Sequence, residues 1–254
     1  MDLFWLFVIG SCFGSFANVV IYRYPIIMGL TDRKKNLSFL SFPRSFCTSC
    51  KQPLKWFHNI PIISFLILKG RCAYCQEKFS TQYLLNELFI GISFVVSFTI
   101  FKQINLGFIL LTLFFIFSVV LFWIDLKFYI LPDFFNKGLI LLGLIFHLLL
   151  NKEFIYSSVI GSFVGYFSLW VIFFIHKKIT KKDGMGFGDF KLMSAQGAWF
   201  GWQALPYIFL GSSLIGLILF FIMAKSKGLT KQDPIPFGPA IILSGFIYLF
   251  LTWL

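Results

Sequence analysis

Charge is scarce in this sequence. Asp, Glu, Lys and Arg together make up 13% of its 254 residues, where a soluble domain carries ~25%. Hydrophobic residues reach 58% and the mean hydropathy is +0.85. An ordinary soluble domain is excluded, and a polytopic membrane protein is expected. Histidine is scarcer still: His58, His147 mid-helix and His176 at a helix end. They form no Ser-His or Cys-His set for nucleophilic catalysis. No G-x-G-x-x-G nucleotide loop is present. No Lys or Arg precedes the first apolar run, which continues to Tyr22, so it reads as a retained helix rather than a signal peptide. There is no internal repeat.

What charge there is runs one way. Lys and Arg number 22 against 10 Asp and Glu, a formal net charge of +12. In a membrane protein such residues collect in cytoplasmic loops, so nucleic acid is not an expected partner. With ~20 apolar residues per span, the candidates are Leu3–Tyr22, Leu84–Phe101, Leu106–Ile124, Phe134–Leu150, Phe154–Ile175, Phe190–Phe200, Leu205–Ala224 and Ile235–Leu254. This predicts an all-α fold of about eight transmembrane helices with a small cytoplasmic loop after the first. The basic loops are 23–83 (with Arg33, Lys34 and Lys35), 176–188 (with Lys182 against Asp183) and 225–234 (with Lys231 against Asp233). All fall on one, cytoplasmic side, and the intervening loops are short and nearly neutral. On the first helix Gly10, Gly14 and Asn18 share a face at i, i+4, i+8. That spacing predicts a close helix–helix seam, with partners for the Asn18 amide.

Five cysteines occur. Cys12 lies alone in an apolar run and reads as a packing residue. The others form two C-x₂-C knuckles, Cys47/Cys50 and Cys72/Cys75, with 21 residues between them. Four thiolates at this spacing close a tetrahedral Zn²⁺ site. A disulfide pair is the alternative, disfavoured in a reducing cytoplasmic loop. A complete Cys₄ set leaves no position for water, so the metal reads as structural. Between the knuckles, Trp56, Phe57, Ile63 and Phe65 either pack the loop or rest on the bilayer surface. His58 reads as a surface or hydrogen-bonded residue rather than a ligand.

Two carboxylates stand at the edge of apolar runs. Asp125 ends the third span in Trp123-Ile124-Asp125-Leu126-Lys127, ahead of a predicted non-helical turn at 126–133. Asp189 follows three alternating glycines in Gly184-Met-Gly-Phe-Gly-Asp189-Phe-Lys191. Glycines at that density permit φ > 0 and close backbone approach. A carboxylate at bilayer depth is costly and indicates function. Two brought together share one proton, leaving one base for water and one acid for a carbonyl. A proton-coupled transporter with a zinc-stapled loop uses such a pair equally well. Asp133 is placed to cap the following helix, and Glu87 to give hydrogen-bonding support.

Taken together, the motifs resemble the bacterial type IV prepilin peptidases. The matching pieces run in order: Gly14-Ser-Phe-Ala-Asn-Val-Val-Ile-Tyr-Arg23-Tyr-Pro25; Pro43-Arg44-Ser45 before the first knuckle; Trp56 and Asn59-Ile60-Pro61; the second knuckle; Asn86-Glu87; Ile124-Asp125-Leu126 with Leu131-Pro132-Asp133; the glycine stretch ending in Asp189; and Pro236-Phe-Gly-Pro239. Lys127 departs from the family pattern, where an acidic residue is common, and so does His58, where an acidic or other polar residue is common.

The resemblance implies a GxGD membrane aspartic protease with Asp125 and Asp189 as catalytic residues. It implies cleavage of the basic leader from prepilins and type II secretion pseudopilins, in the bacterial inner membrane with the catalytic loops facing the cytoplasm. It also implies N-methylation of the new terminus with S-adenosylmethionine. For that donor the site residues are unknown, Gly14–Pro25 and the cysteine loop being candidates by family position. The implied organisation is a first transmembrane helix at 1–22, a methyltransferase-associated zinc-knuckle loop at 23–83 and a peptidase core at 84–254.

Overall fold

The computed structural model describes residues 2–30, 44–181, 184–227 and 235–253, without the side chains of 226 and 227. Arg33, Lys34, Lys35, Pro43, Lys182, Asp183, Lys231 and Asp233 lie outside the described residues.

Each apolar run becomes a helix, because a backbone in lipid must satisfy its own polar groups. The helices are α1 (Leu3–Ile27), a single turn α2 (Ile63–Ile67), α3 (Gln82–Phe101), α4 (Leu106–Phe128), α5 (Asp133–Leu150), α6 (Ile155–Thr180), α7 (Phe187–Phe200), α8 (Leu205–Lys227) and α9 (Gly238–Trp253). Among the described residues there is no strand, only isolated bridges at Phe46↔Pro53 and Arg71↔Lys78. The protein is an all-α, multi-pass membrane protein.

Among the described residues, six helices (α1, α3, α4, α5, α6 and α8) are long and apolar enough to cross a membrane. The other two expected spans are short: 14 residues in α7 and 16 in α9. At ~1.5 Å per residue they rise ~21 and ~24 Å, less than the ~30 Å of a hydrocarbon core. The expected eight thus stand as six full-length spans and two short helices. In α7 every residue from Leu192 to Phe200 is buried. A helix wrapped in protein needs no lipid-facing stripe, which is why it accommodates Ser194 and Gln196.

Some boundaries differ from expectation. α4 continues to Phe128, so Asp125 lies inside its last turn. Tyr129 ends the helix at φ 57, donating its N–H to the Asp125 carbonyl at 2.8 Å. The connection to α5 shrinks to 129–132.

The chain divides into two compact units, Met1–Val120 and Leu121–Leu254. In the first, α1 and α3 pack antiparallel along the glycine face. A Cβ on Gly14 would lie 2.7 Å from the Glu87 Cα, and one on Gly10 would lie 2.9 Å from the Ile90 carbonyl. Asn18 donates to the Tyr83 carbonyl at 3.2 Å and accepts from Asn86 Nδ2 at 2.8 Å, so the buried amide is satisfied. In the second unit, α7 packs antiparallel on α6 through facing glycines, where a Cβ on Gly165 would meet the Met193 carbonyl at 2.5 Å. Trp199 donates its indole N–H to the Leu139 carbonyl at 2.9 Å, joining α7 to α5. His147 lies in the last turn of α5, not mid-helix, with Nε2 2.9 Å from the Trp199 carbonyl.

Because the α1–α3 seam leaves no room at Gly14, Gly14→Val should lower stability by about 1–3 kcal/mol through overpacking. The check is the thermal unfolding midpoint of the protein in detergent. An unchanged midpoint would contradict the seam.

Candidate functional site

The second unit gathers three chain segments around Asp125. Asp125 is 4% exposed, and its carboxylate accepts the backbone N–H of Gly238 at 3.0 Å. Gly238 is the first residue of α9, where backbone donors have no helical partner. The same glycine is tight against the site: a Cβ there would lie 2.7 Å from Asp125 Oδ2 and 3.0 Å from Leu131 Cδ2. Leu131, in the 129–132 connection, also touches the start of α7, because a Cβ on Gly188 would lie 2.7 Å from the Leu131 Cβ.

Asp189 follows Gly188 directly, in the first turn of α7, and is 8% exposed. Its carboxylate accepts the Gly186 N–H and feels the charge of Asp125. The structure thus brings the two carboxylates within electrostatic reach in one unit. The glycines act through close approach at Gly188, while Gly186 adopts ordinary extended backbone at φ −79.

Asp133 does not cap α5. Pro132 occupies the cap position, with no side-chain capping bond. The Asp133 carboxylate instead meets Lys191 Nζ at 2.5 Å and Lys137 Nζ at 3.4 Å. Lys191 is two residues beyond Asp189, so this pair ties the N-terminal part of α7 to the first turn of α5. Being half exposed, it contributes less than about 1 kcal/mol. Sequence reasoning missed Gly238 as donor and Leu131 as wedge. The signal was available in Pro236-Phe-Gly-Pro239, a helix start built for close approach, but nothing local pointed it at Asp125.

The first unit holds a second constellation. The Sγ atoms of Cys47, Cys50, Cys72 and Cys75 all lie within 4.8 Å of one another, an arrangement able to hold a metal ion. The two knuckles repeat one local geometry. In each, the residue before the first cysteine bridges seven residues on. In each, the first cysteine's carbonyl accepts the N–H four residues on, from Lys51 at 2.9 Å and Gln76 at 3.1 Å. Both donors have positive φ, 61 and 59. Desolvation raises the Cys47 thiol, but backbone N–H groups of Cys50 and Ser49 and the neighbouring thiols bring it down to about 7. The Glu77 N–H pulls Cys75 down, yet desolvation and its three sulfur neighbours push it up to about 11.

Between the knuckles the chain makes a strained turn. Ile62 has φ 64 and ψ −54, a γ-turn conformation that is costly for a β-branched residue. It is closed by the Ile63 N–H on the Pro61 carbonyl at 2.6 Å. Glu87 holds the turn from α3, accepting the Ile62 N–H at 2.8 Å. Glu87 thus fills the supporting role expected of it. Trp56 and Ile63 are exposed, whereas the Phe65 ring packs against Gly70. A cavity beside this turn is lined by α1, the knuckle loop and α3, with Arg23, Phe46, His58, Phe65, Tyr83 and Glu87 on its walls. His58 Nδ1 is buried there without a hydrogen-bond partner.

Fold and site together define a helical integral membrane protein with an interior pair of carboxylates. Residues 8–101 match the bacterial peptidase A24 N-terminal domain, and residues 112–221 the type IV leader peptidase family. Over 256 residues the chain is 42% identical to the prepilin leader peptidase/N-methyltransferase of Neisseria gonorrhoeae, covering 94% of this chain and 87% of that protein. It is 39% identical to that of Aeromonas salmonicida strain A449, covering 96% of this chain and 89% of that protein. With that of Dichelobacter nodosus the identity is 34%, covering 97% and 91%. No solved structure matches significantly. The chain belongs to the type IV leader peptidase family, and the proton-coupled transporter is set aside.

The crowding at Gly238 makes a graded test. Gly238→Ala puts a methyl 2.7 Å from Asp125 Oδ2, whereas on Gly186→Ala the nearest atom is 3.6 Å away. Gly238→Ala should lower the peptidase rate at least about tenfold more than Gly186→Ala, since its methyl displaces the Asp125 carboxylate and a ~1 Å displacement is that costly wherever the displaced group reacts. Equal rates in a prepilin cleavage assay would refute this packing of the site.

Proposed function

We propose that this protein cleaves the basic leader from type IV prepilins and type II secretion pseudopilins, with Asp125 and Asp189 as its acid–base pair. It then methylates the new N-terminal amine with S-adenosylmethionine. The observation that carries the peptidase reading is the pair itself: two carboxylates under a tenth exposed, electrostatically linked, in a chain of this family.

Mechanism follows from a shared proton. The ionised carboxylate takes a proton from water as the water oxygen bonds to the scissile carbonyl carbon. The protonated partner donates to the carbonyl oxygen, giving a tetrahedral diol. The proton held by the first carboxylate passes to the leaving nitrogen as the C–N bond breaks, and the partner carboxylate takes back a proton from one diol hydroxyl as the carbonyl re-forms. The Gly238 N–H orients Asp125 through this cycle. A prepilin's apolar helix lies in the bilayer, so its cleavage point meets the pair at the membrane boundary. The basic loops favour a cytoplasmic face for that boundary, in the bacterial inner membrane. For the second reaction, S-adenosylmethionine supplies a methyl carbon on a positively charged sulfur, which keeps the bonding electron pair when the amine takes the methyl.

The four-cysteine group is proposed to hold one structural Zn²⁺. A tetrahedron with ~2.3 Å Zn–S bonds has S···S edges of ~3.8 Å. Cys47 Sγ and Cys75 Sγ stand 3.8 Å apart, and the four residues are free thiols.

Asp125→Asn and Asp189→Asn should each slow prepilin cleavage in reconstituted membranes by ~10²–10⁴-fold or more. Full cleavage by either would remove the two-aspartate mechanism. The native protein should carry about one zinc by metal analysis, lost in a Cys47→Ser, Cys72→Ser double variant; a zinc-free, fully active native protein would contradict the metal assignment.

A further inference from the structure

The cavity of the first unit has the chemistry of an S-adenosylmethionine pocket, and we propose that it binds this methyl donor. The inference rests on the methyltransferase reading above and gives it a place. The walls carry what the donor's groups require. Phe46, Phe65 and Tyr83 line the cavity with aromatic rings, which stack on an adenine and attract a sulfonium through their faces. Glu87 brings a carboxylate and Arg23 a guanidinium to the same space. The donor bears a positive sulfonium and ammonium and a negative carboxylate, so one charge of each sign complements it.

His58 supplies the most specific sign. Its ring is held edge-on between Phe57, at 4.5 Å between centroids, and Tyr74, at 5.8 Å. Its Nδ1 is nonetheless buried with no partner, on a wall of the cavity. A buried polar atom without a hydrogen bond is costly. Nδ1 can donate or accept according to tautomer, and the donor offers both an adenine and a ribose diol.

Two features brace the pocket. Glu87 pins the strained turn at Ile62 with one carboxylate oxygen, Oε2, at 2.8 Å, and the same side chain lines the cavity. The strain is concentrated beside the pocket, as is common where a loop must be held for binding. The metal-binding group lies next to it as well: Phe46 and Thr48 flank Cys47 in sequence and line the cavity. Metal loss should therefore weaken donor binding without touching a donor contact directly.

The test uses the whole zinc-loaded protein in detergent or nanodiscs. Radiolabelled S-adenosylmethionine is titrated by equilibrium dialysis, with S-adenosylhomocysteine and ATP as competitors. In parallel, 8-azido-S-adenosylmethionine is photo-crosslinked to the wild type and the labelled peptides are mapped. The expected results are saturable binding displaced by S-adenosylhomocysteine but not by ATP, and label within residues 44–83 or on α1. His58→Ala should weaken binding about tenfold, the loss of one buried hydrogen bond, with its zinc content kept as the measure of folding.

Label confined to residues 121–254 would overturn the assignment, as would undiminished binding by His58→Ala or equal displacement by ATP. A separate methylation assay on cleaved pilin distinguishes the two levels of failure. Methylation by wild type with label elsewhere refutes the pocket and leaves the methyltransferase standing. Neither methylation nor binding refutes both.

Discussion

Two carboxylates kept from water inside a helical membrane protein are the constraint around which the second unit is built. An isolated buried carboxylate is costly, so the fold brings donors and close backbones to meet them. Asp125 receives the Gly238 N–H from the open start of α9. Asp189 receives the Gly186 N–H at the open start of α7. Both are backbone donors left over where a helix begins. Such donors carry no flexible side chain, and their geometry is as rigid as the packing of the helices. Leu131, wedged against Gly188 and Gly238, joins these two helix starts to the connection that follows Asp125.

The two helices whose starts face the carboxylates, α7 and α9, are also the two short ones. The burial of α7 from Leu192 to Phe200 fixes the helix that carries Asp189, since close packing on all sides leaves it little room to shift. Glycines at the α6–α7 contact permit that packing. The first unit solves a different problem with the same means. Its loop has little apolar core, so paired knuckles, the γ-turn at Ile62 and the Glu87 carboxylate hold its shape.

Much of this was legible before any coordinates. Among the described residues the apolar runs marked the six full-length helices and the two short ones, α7 and α9, because spanning or packing in lipid demands continuous hydrophobicity. Gly10, Gly14 and Asn18 announced a seam by their spacing, and the structure places α3 against it. The knuckles announced a four-sulfur group, and the four Sγ atoms converge. Local reasoning erred where a partner was distant in sequence. Asp133 looked like a cap because the following helix is its nearest neighbour, yet Lys191 satisfies it from 58 residues away. Asp125 looked like a helix end because the apolar run stops there, but hydrogen bonding carries α4 on to Phe128. His58 read as a surface or hydrogen-bonded residue, and the fold instead buries its Nδ1 in a cavity wall without a hydrogen-bond partner.

The sequence by itself determined the helical class, the basic loops, the four thiols and the two aspartates beside apolar runs. Those properties depend on composition and short spacing, which survive in one dimension. Only the tertiary structure decided that Asp125 and Asp189 are both buried in one unit, that Gly238 serves Asp125 across 113 residues of chain, and that His58 and Glu87 share a cavity. Such pairings depend on which helix faces pack together, and that choice is made by steric fit over the whole unit rather than by any local stretch.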